Sequence, residues 1–233
     1  MMSLKSPSRT LGFAALYLAA ALVAAMVYFL VGTDYPSVTN PVEKLDLLVQ
    51  QHVSIQLMYL VAYVGFGLVL VVLALGLSER LTSVSARTAR VAAAIGVIWA
   101  GILIASGFVF IVGMRAVVDL QVTDPAAAVA AWQAIEPVAV GLGGAGGEIL
   151  GGTWVLLVSL VALRGRALPV WLCGLGLVVG AAGILSTLPG LADAAILFGS
   201  LIIVWFAGLG ITLLRGRRTR EPEPSAPLVH AAG

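Results

Sequence analysis

Charge is what this sequence has least of. Only 10% of its 233 residues are Asp, Glu, Lys or Arg, against roughly 25% in a soluble globular domain. So few polar groups cannot coat a water-facing surface, which excludes an ordinary soluble fold. Cysteine is nearly absent as well. The lone Cys173 excludes an intrachain disulfide and any Cys-cluster metal site; its apolar neighbourhood reads as that of a small buried hydrophobe. Histidine is limited to His52 and His230, so paired axial ligands for a haem between helices are missing. No set of three or four ligands stands ready for zinc either. No G-x-S-x-G elbow, Walker loop or dinucleotide fingerprint occurs. The "GLGGAG" at 141–146 follows no strand and sits in an apolar run, with no phosphate to cradle. The chain therefore offers no complete catalytic constellation, and neither cofactor nor metal is expected.

What is abundant is apolar surface: 61% hydrophobic residues and a mean hydropathy of +1.08. The solvent that suits such a chain is a lipid bilayer, and the 27 glycines suit close helix contacts within it. About 20 apolar helical residues cross the hydrocarbon core. Six stretches reach that length: 11–31, 53–77, 91–114, 138–163, 169–188 and 194–214. The first exceeds the roughly 7–15 residues of a signal-peptide core and reads as an uncleaved helix. The expected fold is an all-α integral membrane bundle of six transmembrane helices, forming a single domain over 1–215.

Charge distribution orients it. Eleven of the thirteen Lys and Arg fall before span 1, between spans 2 and 3, between spans 4 and 5, or after span 6. Only Lys44 and Arg115 fall on the opposite side, which collects Asp34, Glu43, Asp46, Asp119, Asp124, Glu136 and Asp193. Positive charge stays cytoplasmic, so both termini are expected inside a cell inner membrane. The basic "RGRRTR" at 215–220 follows from that topology, with anionic lipid as its expected partner and no role in nucleic-acid binding. The Pro-rich tail, 216–233, carries no pattern and is expected to be disordered. Two outer connections have helical character. Asn40 to Gln51 opens with Asn-Pro, Asp124 to Pro137 with Asp-Pro; both are cap signals. Each reads as a short amphipathic helix on the outer surface or capping the bundle. Spans 2–3 and 4–5 also echo one another, in a manner that apolar composition alone explains.

One stretch invites chemistry. "GLGGAGGEILGGTW", 141–154, sets Glu148 among seven glycines near the expected midplane. A carboxylate exposed there costs about 2.5–3.5 kcal/mol on insertion scales, so Glu148 should face the bundle interior. Gly143, Gly147 and Gly151 form a G-x-x-x-G-x-x-x-G ridge for close backbone approach. Gly144, Glu148 and Gly152 form the adjacent stripe, with room beside the carboxylate. On span 2, His52, Gln56, Tyr59 and Tyr63 follow one helical stripe, descending about 16 Å from the outer boundary to the level of Glu148. These five residues are the candidate polar cavity; a helix crossing locked by a buried Glu hydrogen bond is the competing structural role. Asp193 reads as a solvated or capping residue, Trp154 and Trp205 as packing.

The segments "GGEILGGTWVLLVSLVALR", "LPVWLCGLGLVVGAAGIL" and "FGSLIIVWFAGLGITLLR" resemble, over residues 137–215, a bacterial family of six-span membrane proteins of uncharacterised function. The resemblance implies a six-helix fold in a bacterial inner membrane and no catalytic residues. The residues themselves point to a non-enzymatic membrane protein with a sensing, accessory or interaction role. Two alternatives stay open: a small proton-coupled transporter using Glu148 in an outward-facing cavity, and an intramembrane enzyme acting on a lipid or isoprenoid with Glu148 as general acid.

Overall fold

In the computed structural model of the chain, residues 8–215 are described; the expected disordered tail lies outside them. Among the described residues every element is helical and there are no strands. In chain order the helices are α1 (Ser8–Val27), α2 (Pro41–Tyr59), α3 (Phe66–Thr123), α4 (Pro125–Gly143), α5 (Ala145–Arg164), α6 (Val170–Leu185) and α7 (Ala194–Arg215). Two π-helical turns, Tyr28–Gly32 and Leu60–Gly65, extend α1 and join α2 to α3.

Four continuous helical stretches are long and apolar enough to cross a membrane: Ser8–Gly32, Pro41–Thr123, Pro125–Arg164 and Ala194–Arg215. Val170–Leu185 is apolar but shorter, at 16 residues. Two of the four are compound. Pro41–Thr123 reverses at Ser85, whose backbone is extended (φ −154°, ψ 95°). Beyond that point the second arm runs back along the first. Ser78 Oγ donates to the Ala89 carbonyl (2.9 Å), and a Cβ placed on Gly96 would lie 2.7 Å from that of Ala74. Pro125–Arg164 is interrupted at Gly144 (φ −83°, ψ −101°).

Helices α2 and α4 begin where their cap signals stand. Asn40 Oδ1 accepts from Val42 N (2.9 Å) and Asp124 Oδ1 from Ala127 N (3.0 Å), each followed by proline in the first turn. They do not end where expected. The first continues through a distorted Gln51 (φ −113°, ψ 18°). The second continues through Pro137, which stands inside α4 and removes one hydrogen bond without ending the helix. Both are thus the stems of longer helices and not separate surface segments.

These long helices divide the molecule into two apolar layers. One core, around Leu11, Phe66, Trp99, Trp154, Trp205 and Phe206, joins α1, α3, α5, α6 and α7. The other, around Tyr35, Leu45, Phe110, Met114 and Trp132, joins α2, the far part of α3 and α4. From Leu103 to Thr123, α3 rises about 30 Å and carries this second layer, the cap. A polar clamp ties the cap together. Glu136 Oε1 accepts from Tyr35 Oη (2.7 Å) and Lys44 Nζ (2.8 Å). Trp132 Nε1 donates to Tyr35 Oη (3.1 Å), and the Lys44 ammonium stands 4.7 Å over the Tyr35 ring. Burial first, and the Glu136 carboxylate second, push the Tyr35 phenol well above its ordinary value.

The tightest backbone crossing joins α5 to α6. A Cβ on Gly152 would lie 2.8 Å from the Gly180 carbonyl oxygen and 3.0 Å from Gly183 Cα. The Gly143, Gly147 and Gly151 ridge does something else: it makes room for side chains. Tyr63 and Ser106 face Gly143, and the Trp99 ring faces Gly147 and Gly151. The glycine stripe that admits a neighbouring backbone is the one carrying Glu148, because the bulky indole of Trp99 occupies the other.

Candidate functional site

Glu148 owes its position to the break at Gly144. Each glycine costs a helix up to about 1 kcal/mol relative to alanine, so continuity is weakest where Gly141, Gly143, Gly144, Gly146 and Gly147 crowd together. Restarting at Ala145 puts Glu148 in the first turn of α5, where the helix dipole favours negative charge. Its Oε2 lies 2.8 Å from Ser186 Oγ, at the end of α6. Ser186 Oγ is also 2.9 Å from the Gly183 carbonyl. One hydroxyl proton serves only one of these acceptors at a time. A protonated Glu148 donating to Ser186 satisfies both. An ionised Glu148 takes the proton from the Gly183 contact. Among the described residues Glu148 Oε1 has no hydrogen-bond partner.

Glu148 belongs to the wall of a cavity of about 440 Å³, inside the roughly 300–1,000 Å³ range of small-ligand sites. One side is formed by Leu22, Met26, Phe29 and Leu30 of α1 and its π turn, the opposite side by Ala195 to Ile203 of α7. Phe66, Trp99, Leu103, Tyr63, Gly143, Gly144, Gly147 and Glu148 also belong to the lining. Met26 (44% exposed) and Ile196 (72%) stand at the outer surface of the α1–α7 seam. At their other ends α1 and α7 are closed on each other: a Cβ on Gly210 would lie 2.9 Å from the Gly12 carbonyl oxygen. The lining carries no Lys, Arg or His, so nothing in the wall supplies a counter-charge to Glu148.

Three backbone irregularities converge on this cavity. Phe29 and Leu30 belong to the first π turn, Ala62 and Tyr63 to the second, and Gly144 is the break before α5. Wide turns of this kind make i→i−5 bonds, as Thr33 N to Tyr28 O (2.9 Å) does. They are held only by compensating contacts. At the second turn Tyr17 Oη donates to the Val61 carbonyl (3.1 Å).

The second π turn also decides the fate of the polar stripe. Tyr63 lines the cavity with Glu148 and lies within electrostatic reach of its carboxylate; its hydroxyl has no hydrogen-bond partner among the described residues. His52, Gln56 and Tyr59 are not part of the lining. His52 Nδ1 donates to the Val49 carbonyl (2.8 Å), one turn back. Tyr59 is buried, its ring stacked 4.1 Å from Phe110 and 5.4 Å from Phe29. An α-helical stripe needs constant pitch. The π turn from Leu60 changes the pitch between Tyr59 and Tyr63; their rings stay 5.1 Å apart, but Tyr63 alone of the four lines the cavity. Ser186 and Trp99 went unforeseen, since a lone serine or tryptophan in an apolar run gives no signal of what it will face.

Among the described residues no group of three or more His, Cys, Asp or Glu is placed to hold a metal ion. No family model, curated protein or solved structure matches the chain.

Proposed function

We propose that the chain is a multi-pass protein of a bacterial inner membrane that binds a small, largely apolar, membrane-dissolved molecule in the Glu148 cavity, without catalysing its conversion. The convergence of two π turns and a helix break on one cavity carries this reading. At membrane depth, irregular backbone is tolerated where it is buried in protein or lines a cavity, and π turns recur at functional sites. Six crossings follow if the reversal at Ser85 counts Pro41–Thr123 twice and Val170–Leu185 with its flanks makes the sixth. Both termini then lie on the side of Arg80, Arg164 and Arg215. This layout agrees with the resemblance of residues 137–215 to six-span bacterial proteins. The exposed apolar residues of the α1–α7 seam then face lipid, so the ligand arrives laterally. Proton-coupled transport is the second reading. It is favoured by a discontinuous helix presenting a carboxylate beside a cavity.

Trp99, only 4% exposed, lines the cavity and reports on its contents. In nanodiscs of lipid brominated along the acyl chains, the emission component removed by Trp99→Phe should be quenched. Gly199→Leu should protect it, because Gly199 lines the cavity and a Cβ there meets no atom within 4 Å. Equal quenching with and without the plug would contradict access through the α1–α7 seam.

A further inference from the structure

The cavity wall specifies the charge of its occupant. Glu148 lines the cavity with Oε1 unpaired among the described residues, no cationic side chain lines the space, and the aromatic rings of Phe29, Tyr63, Phe66 and Trp99 share it. An isolated carboxylate in apolar surroundings must be neutralised by a proton or by a partner of opposite charge. The aromatic faces select among such partners, since they attract a cation and give an anion nothing. Among the described residues the other polar side chains in the lining are Tyr63, the Trp99 indole N–H and Ser200, and the last already donates to the Ile196 carbonyl (2.8 Å).

Resting on the proposed binding role of the cavity, we infer that its ligand is an amphipathic monocation: an amine with an apolar tail. The ammonium donates to Glu148 Oε1 in place of a proton and lies against the Tyr63 ring. The tail follows the apolar channel between Met26 and Ile203 towards the seam. Ser186 holds Oε2, which leaves Oε1 free to accept from the ligand. Among the described residues Glu148 and Tyr63 are the titratable groups in the lining. The ammonium and the Glu148 carboxylate together leave the occupied site with no net charge.

Equilibrium binding of tritiated dodecylamine, dodecanol and dodecanoate to the full chain in nanodiscs of zwitterionic lipid, with empty nanodiscs subtracted, tests this at neutral pH. Dodecylamine should bind saturably at one site per chain and at least about tenfold tighter than dodecanol, the range expected of a charge-assisted hydrogen bond. Dodecanoate should not bind saturably. Glu148→Gln should remove the preference for amine while leaving dodecanol binding unchanged. Should Glu148→Gln fail to fold on size-exclusion chromatography, Tyr63→Leu carries the test, with a loss of several-fold for the amine alone. Saturable binding of dodecanol equal to that of the amine, abolished by Gly199→Leu, would overturn the inference and leave the cavity as a site for neutral ligands. Saturable binding of neither compound would remove the binding role itself.

Discussion

Substituting Gly152 by alanine measures how the α5–α6 crossing holds Glu148 in place. The added Cβ would meet Gly180 O at 2.8 Å, Gly183 Cα at 3.0 Å and Gly183 C at 3.1 Å, all of them backbone atoms of α6. Ordinary carbon contacts begin near 3.5 Å, so α6 must retreat by about half an ångström or more, and no rotamer change can absorb the clash. Overpacking of this kind costs about 1–3 kcal/mol, and alanine returns up to about 1 kcal/mol through its helix propensity. The comparison that isolates the crossing is therefore with other helical glycines. At Gly199 a Cβ meets nothing within 4 Å, and at Gly147 its nearest neighbour is Trp99 Nε1 at 3.4 Å. Both of those alanine variants should be as stable as the parent or slightly more so. Gly152→Ala should fall below them by about 1–3 kcal/mol in unfolding by SDS in mixed micelles, followed by circular dichroism. Three variants of equal stability would show that the helices are not locked at Gly152, and the reasoning from close approach would fail.

The cap provides three further tests. Glu136→Ala removes two hydrogen bonds from a clamp whose Lys44 and Glu136 side chains are each about one-fifth exposed. It should cost about 1–3 kcal/mol, seen as faster amide exchange in α2 and α4 with α7 unchanged. Because the folded-state pKa of Tyr35 is raised, its contribution to stability is complete below its ordinary value of 10.0 and is lost as pH climbs beyond that. Tyr35→Phe should therefore flatten the alkaline decline in stability relative to the parent. For topology, a fluorescent protein fused after Gly233 should fluoresce, and a cysteine at Thr123 in a Cys173→Ala background should react with an impermeant maleimide on intact cells. The reverse labelling pattern would overturn the proposed orientation.

Much of this architecture could be read from residue order. Helical starts at Asn40 and Asp124 follow from Asx-Pro signals whose capping bonds are local, and the reversal at Ser85 falls within the arginine-bearing connection between two apolar runs. Glu148 was identifiable because a carboxylate among glycines in an apolar run is conspicuous in itself. Other features depended on tertiary contacts that spacing does not encode. The π turn at Leu60–Gly65 is supported by Tyr17, 44 positions from its carbonyl partner Val61, and Tyr63, which lies within that turn, is the residue of the stripe that lines the cavity. The hydrogen bond from Ser186 spans 38 positions. Helix ends were also misplaced for a physical reason: Gln51 and Pro137 perturb a helix without stopping it when apolar packing continues on both sides, as it does around Trp132 and Ala139.

The central claim is that the space between α1 and α7 holds a membrane-dissolved ligand against Glu148. A density map of the full chain in native-lipid nanodiscs, at side-chain resolution, tests it most directly. The account predicts elongated density between Met26 and Ile203, ending within hydrogen-bond distance of Glu148 Oε1, with Ser186 still donating to Oε2. Contact between α1 and α7 along their whole length, with Glu148 dry and paired to Ser186 alone, would contradict it.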